Sequence, residues 1–148
     1  MVQAHKRGLI FLAEYGVIFQ GTLFILSCFE SGVFSVWFFS FWVAITLFAL
    51  VLASLIKRVL KKKRPEKRKE LFMPFGEYTF PSGHATGMTV ITLCIFTVGS
   101  MPLSVLSLLV SACVMSARVD ARVHDWIDMV GGIVLGSFVF YSASTLIL

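Results

Sequence analysis

Five apolar stretches, residues 8–29, 33–56, 85–101, 103–117 and 126–148, take up most of this chain, and all but one of the breaks between them are only a few residues long. A helix needs about 20 apolar residues to cross a bilayer core of roughly 30 Å. In lipid, an unpaired backbone N–H or C=O costs several kcal/mol, so outside a closed barrel each stretch must be helical. The expectation is an all-α, polytopic membrane bundle of about five transmembrane helices. With 57% hydrophobic residues and a mean hydropathy of +0.88, a single membrane domain over residues 1–148 is expected, with no room for a soluble one.

The first stretch follows His5, Lys6 and Arg7 as a signal peptide would, but it carries Glu14 and Gln20 and no small-x-small cleavage site, so a retained span is expected. Cys28, Cys94 and Cys113 each fall inside an apolar stretch without metal-like or disulfide-like spacing, and small core residues are expected there.

The one long connection, residues 57–80, has two halves. KRVLKKKRPEKRKE, residues 57–70, is nine-fourteenths Lys and Arg, and LFMPFGEYTF, residues 71–80, supplies Phe72, Phe75, Tyr78 and Phe80, which suit the headgroup layer. An interfacial loop or short helix is expected there. Since each crossing changes side, the amino terminus, this connection and residues 118–125 share one face. All thirteen Lys and Arg residues lie on or border that face.

Between His84 and Arg118 lie 33 residues, enough for two crossings of roughly 25 Å at about 1.5 Å per residue. Both therefore return to one depth on one face. His124 follows at the expected start of the last helix, with Asp128 one turn further in. Lys57, Arg64, Pro81-Ser82-Gly83-His84, Arg118, His124 and Asp128 thus converge.

Three permanent cations facing two histidines, one backed by a carboxylate, suit phosphoryl transfer. A phosphate charge about 4 Å from a cation gains roughly 4 kcal/mol at an effective dielectric near 20, and Arg adds a bidentate fork. Ser82 and Gly83, placed before a helix beginning near Ala85, are expected to aim their backbone N–H groups and the Ser82 hydroxyl at an anion. His124 with Asp128 has the form of a nucleophile and its orienter, and His84 at the rim that of a proton donor. One acidic and one basic histidine predict a bell-shaped pH dependence.

The pattern K-x6-RP (Lys57 to Pro65), PSGH (81–84) and R-x5-H-x3-D (Arg118 to Asp128) resembles the three signature motifs of the type 2 phosphatidic acid phosphatase (PAP2) superfamily, whose integral-membrane members dephosphorylate lipids. The resemblance implies that Lys57, Arg64 and Arg118 hold phosphate, assisted by Ser82 and Gly83. It implies that His124 forms a phosphohistidine, that His84 protonates the leaving group, that Asp128 orients His124, and that neither metal nor cofactor takes part. The chain departs from the pattern at Ala117, where the family usually has Ser, and in having one span fewer than familiar membrane members.

The expected function is hydrolysis of a lipid phosphate monoester or terminal phosphate, with lipid A 1-phosphate, phosphatidylglycerophosphate and undecaprenyl pyrophosphate as candidates and lipid A 1-phosphate favoured for the chain's compactness. The alternatives are a lipid phosphotransferase using the same histidine and a non-enzymatic polybasic adaptor. Expected partners are the lipid substrate and anionic headgroups held by Lys61, Lys62, Lys63, Lys67, Arg68 and Lys69, with no nucleic acid. Charge distribution alone puts the motif face in the cytoplasm. Because several of those cations serve phosphate or lipid, and because the resemblance implies an outward-facing site, the expectation adopted is a multi-pass inner-membrane protein with its site facing the periplasm. Glu14 is expected to be buried against a polar neighbour, and Gly132 and Gly136 to mark close helix packing.

Overall fold

Helix α1, Val2–Glu30, runs down to a turn at Ser31 and Gly32, where Gly32 takes the left-handed φ of 66° that a non-glycine residue adopts reluctantly. The structure is a computed structural model that describes residues 2–32, 35–63 and 78–146, with side chains of α1 described from residue 15 onward. The side chain of Glu14, and residues Arg64, Lys67, Arg68, Lys69, Phe72 and Phe75, therefore lie outside what it describes. Helix α2 is Val36–Leu60, capped by the Ser35 hydroxyl, which accepts the Phe38 N–H at 3.1 Å. Helices α3, Gly83–Val98, α4, Met101–Asp120, and α5, Trp126–Ser144, complete the order.

Helices α2, α4 and α5 are each long and apolar enough to cross a membrane. Helix α3 has 16 residues, or about 24 Å of rise. It is the hub, packing against all four other helices. That position shows in its composition: Ala85, Met88, Val90, Cys94 and Ile95 are all buried, whereas α2 turns Leu47, Phe48, Val51 and Leu55 outward, as lipid-facing residues should be.

Two kinds of contact bind the other helices to α3. Against α5 the fit depends on glycine: a Cβ on Gly132 would lie 2.6 Å from both the Ser82 carbonyl oxygen and the Ala85 Cβ, and one on Gly136 would lie 2.6 Å from the Thr86 carbonyl oxygen. Against α1 and α4 the contact is polar. The buried Gln20 amide nitrogen donates to Thr92 Oγ1 of α3 at 2.7 Å and to the Ser107 and Ser111 hydroxyls of α4, and Thr92 and Ser111 are themselves 2.8 Å apart. In a bundle interior such bonds tie helices that otherwise share only apolar faces. Trp42 of α2 stacks on Phe140 of α5, their centroids 5.0 Å apart.

Cys28 and Cys94 are buried, as expected, but Cys113 is exposed. It lies on the outer side of α4 beside the exposed Leu108 and Leu109, where an apolar residue needs no core to be content in lipid.

Candidate active site

Helix α2 ends with Lys57 and Arg58 in its last turn, where cations meet the negative end of the helix dipole. Lys57 is 4% exposed, unusually little for a lysine. Its carbonyl accepts the N–H of Lys61 at 2.9 Å, and Lys61, with a left-handed φ of 49°, reverses the chain. After that reversal the chain is extended and successive side chains diverge, leaving Lys61 and Lys63 exposed while Lys62 is partly buried.

The Lys62 carbonyl accepts the Thr79 N–H at 2.9 Å and the Thr79 hydroxyl at 3.4 Å, and Lys63 pairs antiparallel with Tyr78. The two ends of the long connection therefore meet directly below α3. The Phe80 ring then lies against Gly131, where any side chain would collide with it, and a cis Phe80–Pro81 peptide leads to Ser82.

Helix α3 begins at Gly83, two residues before its expected start. Ser82 is its N-cap and fully buried, and its hydroxyl oxygen faces the Ala85 N–H at 3.4 Å. The Ser82 N–H is not aimed at an anion, contrary to expectation: it donates to the Asp128 carbonyl at 2.9 Å. An anion at this helix end would meet the first-turn amides of Gly83 and His84 and the Ser82 hydroxyl instead. Gly83 is buried and His84 half-buried.

At the end of α4, Arg118 is 2% exposed. Its carbonyl accepts the N–H groups of Val123 at 3.1 Å and His124 at 3.4 Å, closing a turn in which Arg122 takes a φ of 55°. His124 is buried but lies outside α5, whose N-cap is Asp125. Asp128, inside the first turn, reaches back: its Oδ2 accepts the Asp125 N–H at 3.0 Å and lies 3.5 Å from His124 Nδ1. That last distance is longer than a good hydrogen bond, and such contacts often shorten when substrate binds.

Asp128 Oδ1 is 2.7 Å from Lys62 Nζ, which also lies 3.1 Å from Asp125 Oδ2. Lys62 therefore does not belong with the headgroup-binding lysines. Burial tends to lower the Lys62 pKa, but hydrogen bonds to Asp128 and Asp125, with their charges, outweigh it and raise the pKa above the ordinary lysine value. A raised lysine pKa stabilises the fold fully below the unfolded value near 10.4, and that contribution is lost only as pH rises beyond it.

The structure thus joins Ser82, His124 and Asp128 through direct contacts and holds Arg118 to His124 through the main chain. Lys57 and His84 lie at the adjoining ends of α2 and α3, and Arg64 falls outside the described residues. Lys62 and Asp125 were not expected. Nothing local distinguishes Lys62 from its neighbours in the basic run: its orientation follows from the left-handed Lys61 before it and the distant Thr79 that its carbonyl bonds. Among the described residues, no three His, Cys, Asp or Glu side chains are grouped as a metal site would require.

No curated protein sequence matches the chain. Among solved structures, it is similar to the first transmembrane PAP2-type phosphatidylglycerolphosphate phosphatase from Bacillus subtilis, with a TM-score of 0.68 and 18% identity over 98% of this chain and 76% of that one. At that identity the likeness speaks for the fold, a multi-pass membrane bundle. The sequence model of the PAP2 superfamily matches residues 35–147, which run from the cap of α2 through every motif and past the end of α5; the chain belongs to that superfamily.

Proposed function

We propose that the protein is a membrane lipid phosphatase that removes a phosphate monoester or terminal phosphate through a phosphohistidine on His124. The observation that carries this reading is the adjacency of charge and lipid-facing surface. The first turn of α5 buries Asp128 and Met129 beside His124 while exposing Trp126, Ile127 and Val130, and Val59 and Leu60 are exposed at the end of α2. A phosphate held at the buried groups leaves its acyl or prenyl chains against those apolar side chains, within the bilayer.

In the first step the His124 Nε2 lone pair attacks phosphorus and the bond from phosphorus to the lipid oxygen breaks. His84 gives that oxygen a proton and the lipid alcohol leaves. Water, giving its proton to His84, then attacks phosphorus; the N–P bond breaks, its electron pair returns to Nε2, and inorganic phosphate leaves. Lys57, Arg64, Arg118, the Ser82 hydroxyl and the Gly83 amide hold the phosphate oxygens throughout. Asp128 keeps the His124 tautomer that exposes Nε2.

Lipid A 1-phosphate, phosphatidylglycerophosphate and undecaprenyl pyrophosphate form the substrate panel, with soluble glycerol 3-phosphate as control. Purified protein in detergent is expected to release phosphate from at least one of these lipids about a hundredfold faster than from the control, and to keep its rate in chelator to within about twofold. Loss of turnover in chelator with recovery on adding a divalent ion would sink the metal-free scheme. Phosphate recovered on an added lipid alcohol instead of in solution would identify a transferase.

The site is proposed to face the periplasm of an inner membrane. In intact spheroplasts, an impermeant maleimide is expected to label Lys63→Cys, since Lys63 is exposed on the motif face. Protection there, with labelling only after lysis, would place the site in the cytoplasm.

A further inference from the structure

Lys62 occupies one of the unspecified positions of the first motif, yet it makes the short 2.7 Å contact to Asp128, whose side chain is fully buried. The carboxylate divides its oxygens: Oδ1 goes to Lys62, while Oδ2 takes the Asp125 N–H and faces His124 Nδ1. A carboxylate held by Oδ2 alone is free to turn about its Cβ–Cγ bond, and one also held at Oδ1 is not. Lys62 can act as that anchor because its own backbone is fixed, its carbonyl bonded to Thr79 and its neighbour Lys63 paired with Tyr78.

The charged and titratable groups at this end of the bundle come from every element around Asp128. Among the described residues they include Lys57 from α2, Lys62 from the connection, His84 from α3, Arg118 from α4, and His124 and Asp125 from the turn that leads into α5. Among the described residues, Lys62 puts its ammonium 2.7 Å from Oδ1 of the carboxylate whose Oδ2 faces the imidazole. There it offsets part of the carboxylate's negative field at the imidazole.

Building on the phosphohistidine reading, we propose that Lys62 is a positioning residue for the reaction: it fixes the plane of the Asp128 carboxylate, and with it the orientation of the His124 imidazole, and offsets part of the carboxylate's charge there. An imidazolium cannot attack phosphorus, so the acidic limb of the activity profile follows His124. Losing the ammonium moves that limb upward. A unit charge several Å away, at an effective dielectric near 20 and partly screened by solvent, gives a shift of about one pH unit.

The test compares Lys62→Gln, which removes the charge, with Lys62→Arg, which keeps it. In detergent micelles Lys62→Gln is expected to raise the acidic limb of kcat by about one pH unit and to lower kcat at pH 7 about tenfold, with KM changed less than about twofold. Lys62→Arg is expected to restore the limb. The His124 imidazole, followed by nitrogen NMR in protein without substrate, is expected to titrate higher by the same amount in Lys62→Gln.

An unmoved limb together with an unmoved NMR titration would overturn the proposal. So would a loss confined to KM, which would make Lys62 a headgroup ligand. If Lys62→Gln does not fold, Lys62→Met takes its place; failure of both to fold while Lys62→Arg folds would reduce Lys62 to a structural ion pair. The NMR arm needs no turnover. If His124→Ala were as active as wild type, the phosphohistidine reading would fail while the titration still reported whether Lys62 controls His124.

Discussion

His124→Ala is expected to lower phosphate release by about ten-thousandfold or more while leaving a folded, monodisperse protein. The magnitude follows from the role: without the nucleophile, the remaining cations bind phosphate but offer no route through a covalent intermediate, and removing one member of such a unit costs nearly as much as removing all of it. The fold should survive because what holds this turn is main chain. The His124 N–H bond to the Arg118 carbonyl and the Asp125 N–H bond to Asp128 Oδ2 are both retained in the variant. Asp128 also keeps its partner Lys62, so no buried charge is stranded. Phosphate release from the best lipid of the panel, together with acid-labile phosphate trapped on wild-type protein only, checks it. More than a tenth of wild-type activity in the variant would remove His124 from the chemistry.

Gly132→Ala should be nearly as harmful, for an entirely different reason. The added methyl would lie 2.6 Å from the Ser82 carbonyl oxygen and the Ala85 Cβ, and 3.1 Å from the Thr86 nitrogen. Two of those three are backbone atoms of the turn that begins α3, and they cannot rotate away as a side chain can. The helices must separate, which stretches the Ser82-to-Asp128 bond and moves the anion-facing turn relative to His124. Overpacking of this kind costs about 1–3 kcal/mol, and a displacement near 1 Å can cost about a hundredfold in rate. Gly21→Ala is the control, because a Cβ there meets nothing within 4 Å. It is expected to leave activity unchanged and the melting temperature equal or higher, since Ala suits a helix better than Gly. If the two variants behave alike, the close α3–α5 contact does not matter.

Much of this was legible in the sequence, because hydropathy in lipid is close to a direct readout of helices. Counting crossings is enough to place Ser82, Arg118, His124 and Asp128 at one end of the bundle. What escaped were features set by contacts between distant segments. Lys62 is one of three consecutive lysines, and its inward turn depends on the left-handed Lys61, on its own bond to Thr79, 17 residues away, and on the pairing of its neighbour Lys63 with Tyr78. The Ser82 N–H looked available because nothing near it in the chain could accept it; its acceptor lies 46 residues further on, at Asp128. Cys113 was assigned to a core that, for a helix bordering lipid, covers only one face. Gln20 looked like an argument against a signal peptide and proved to be the polar tie between α1, α3 and α4.

The bond from the Ser82 N–H to the Asp128 carbonyl belongs to no side chain. Any residue but proline at position 82 can donate it, and any residue at all at position 128 can accept it. Substitutions at either position can therefore leave the distance between the two segments undisturbed. Comparisons of amino-acid identity will understate how much two such proteins share, because a shared spacing held by peptide groups leaves no mark in the alphabet.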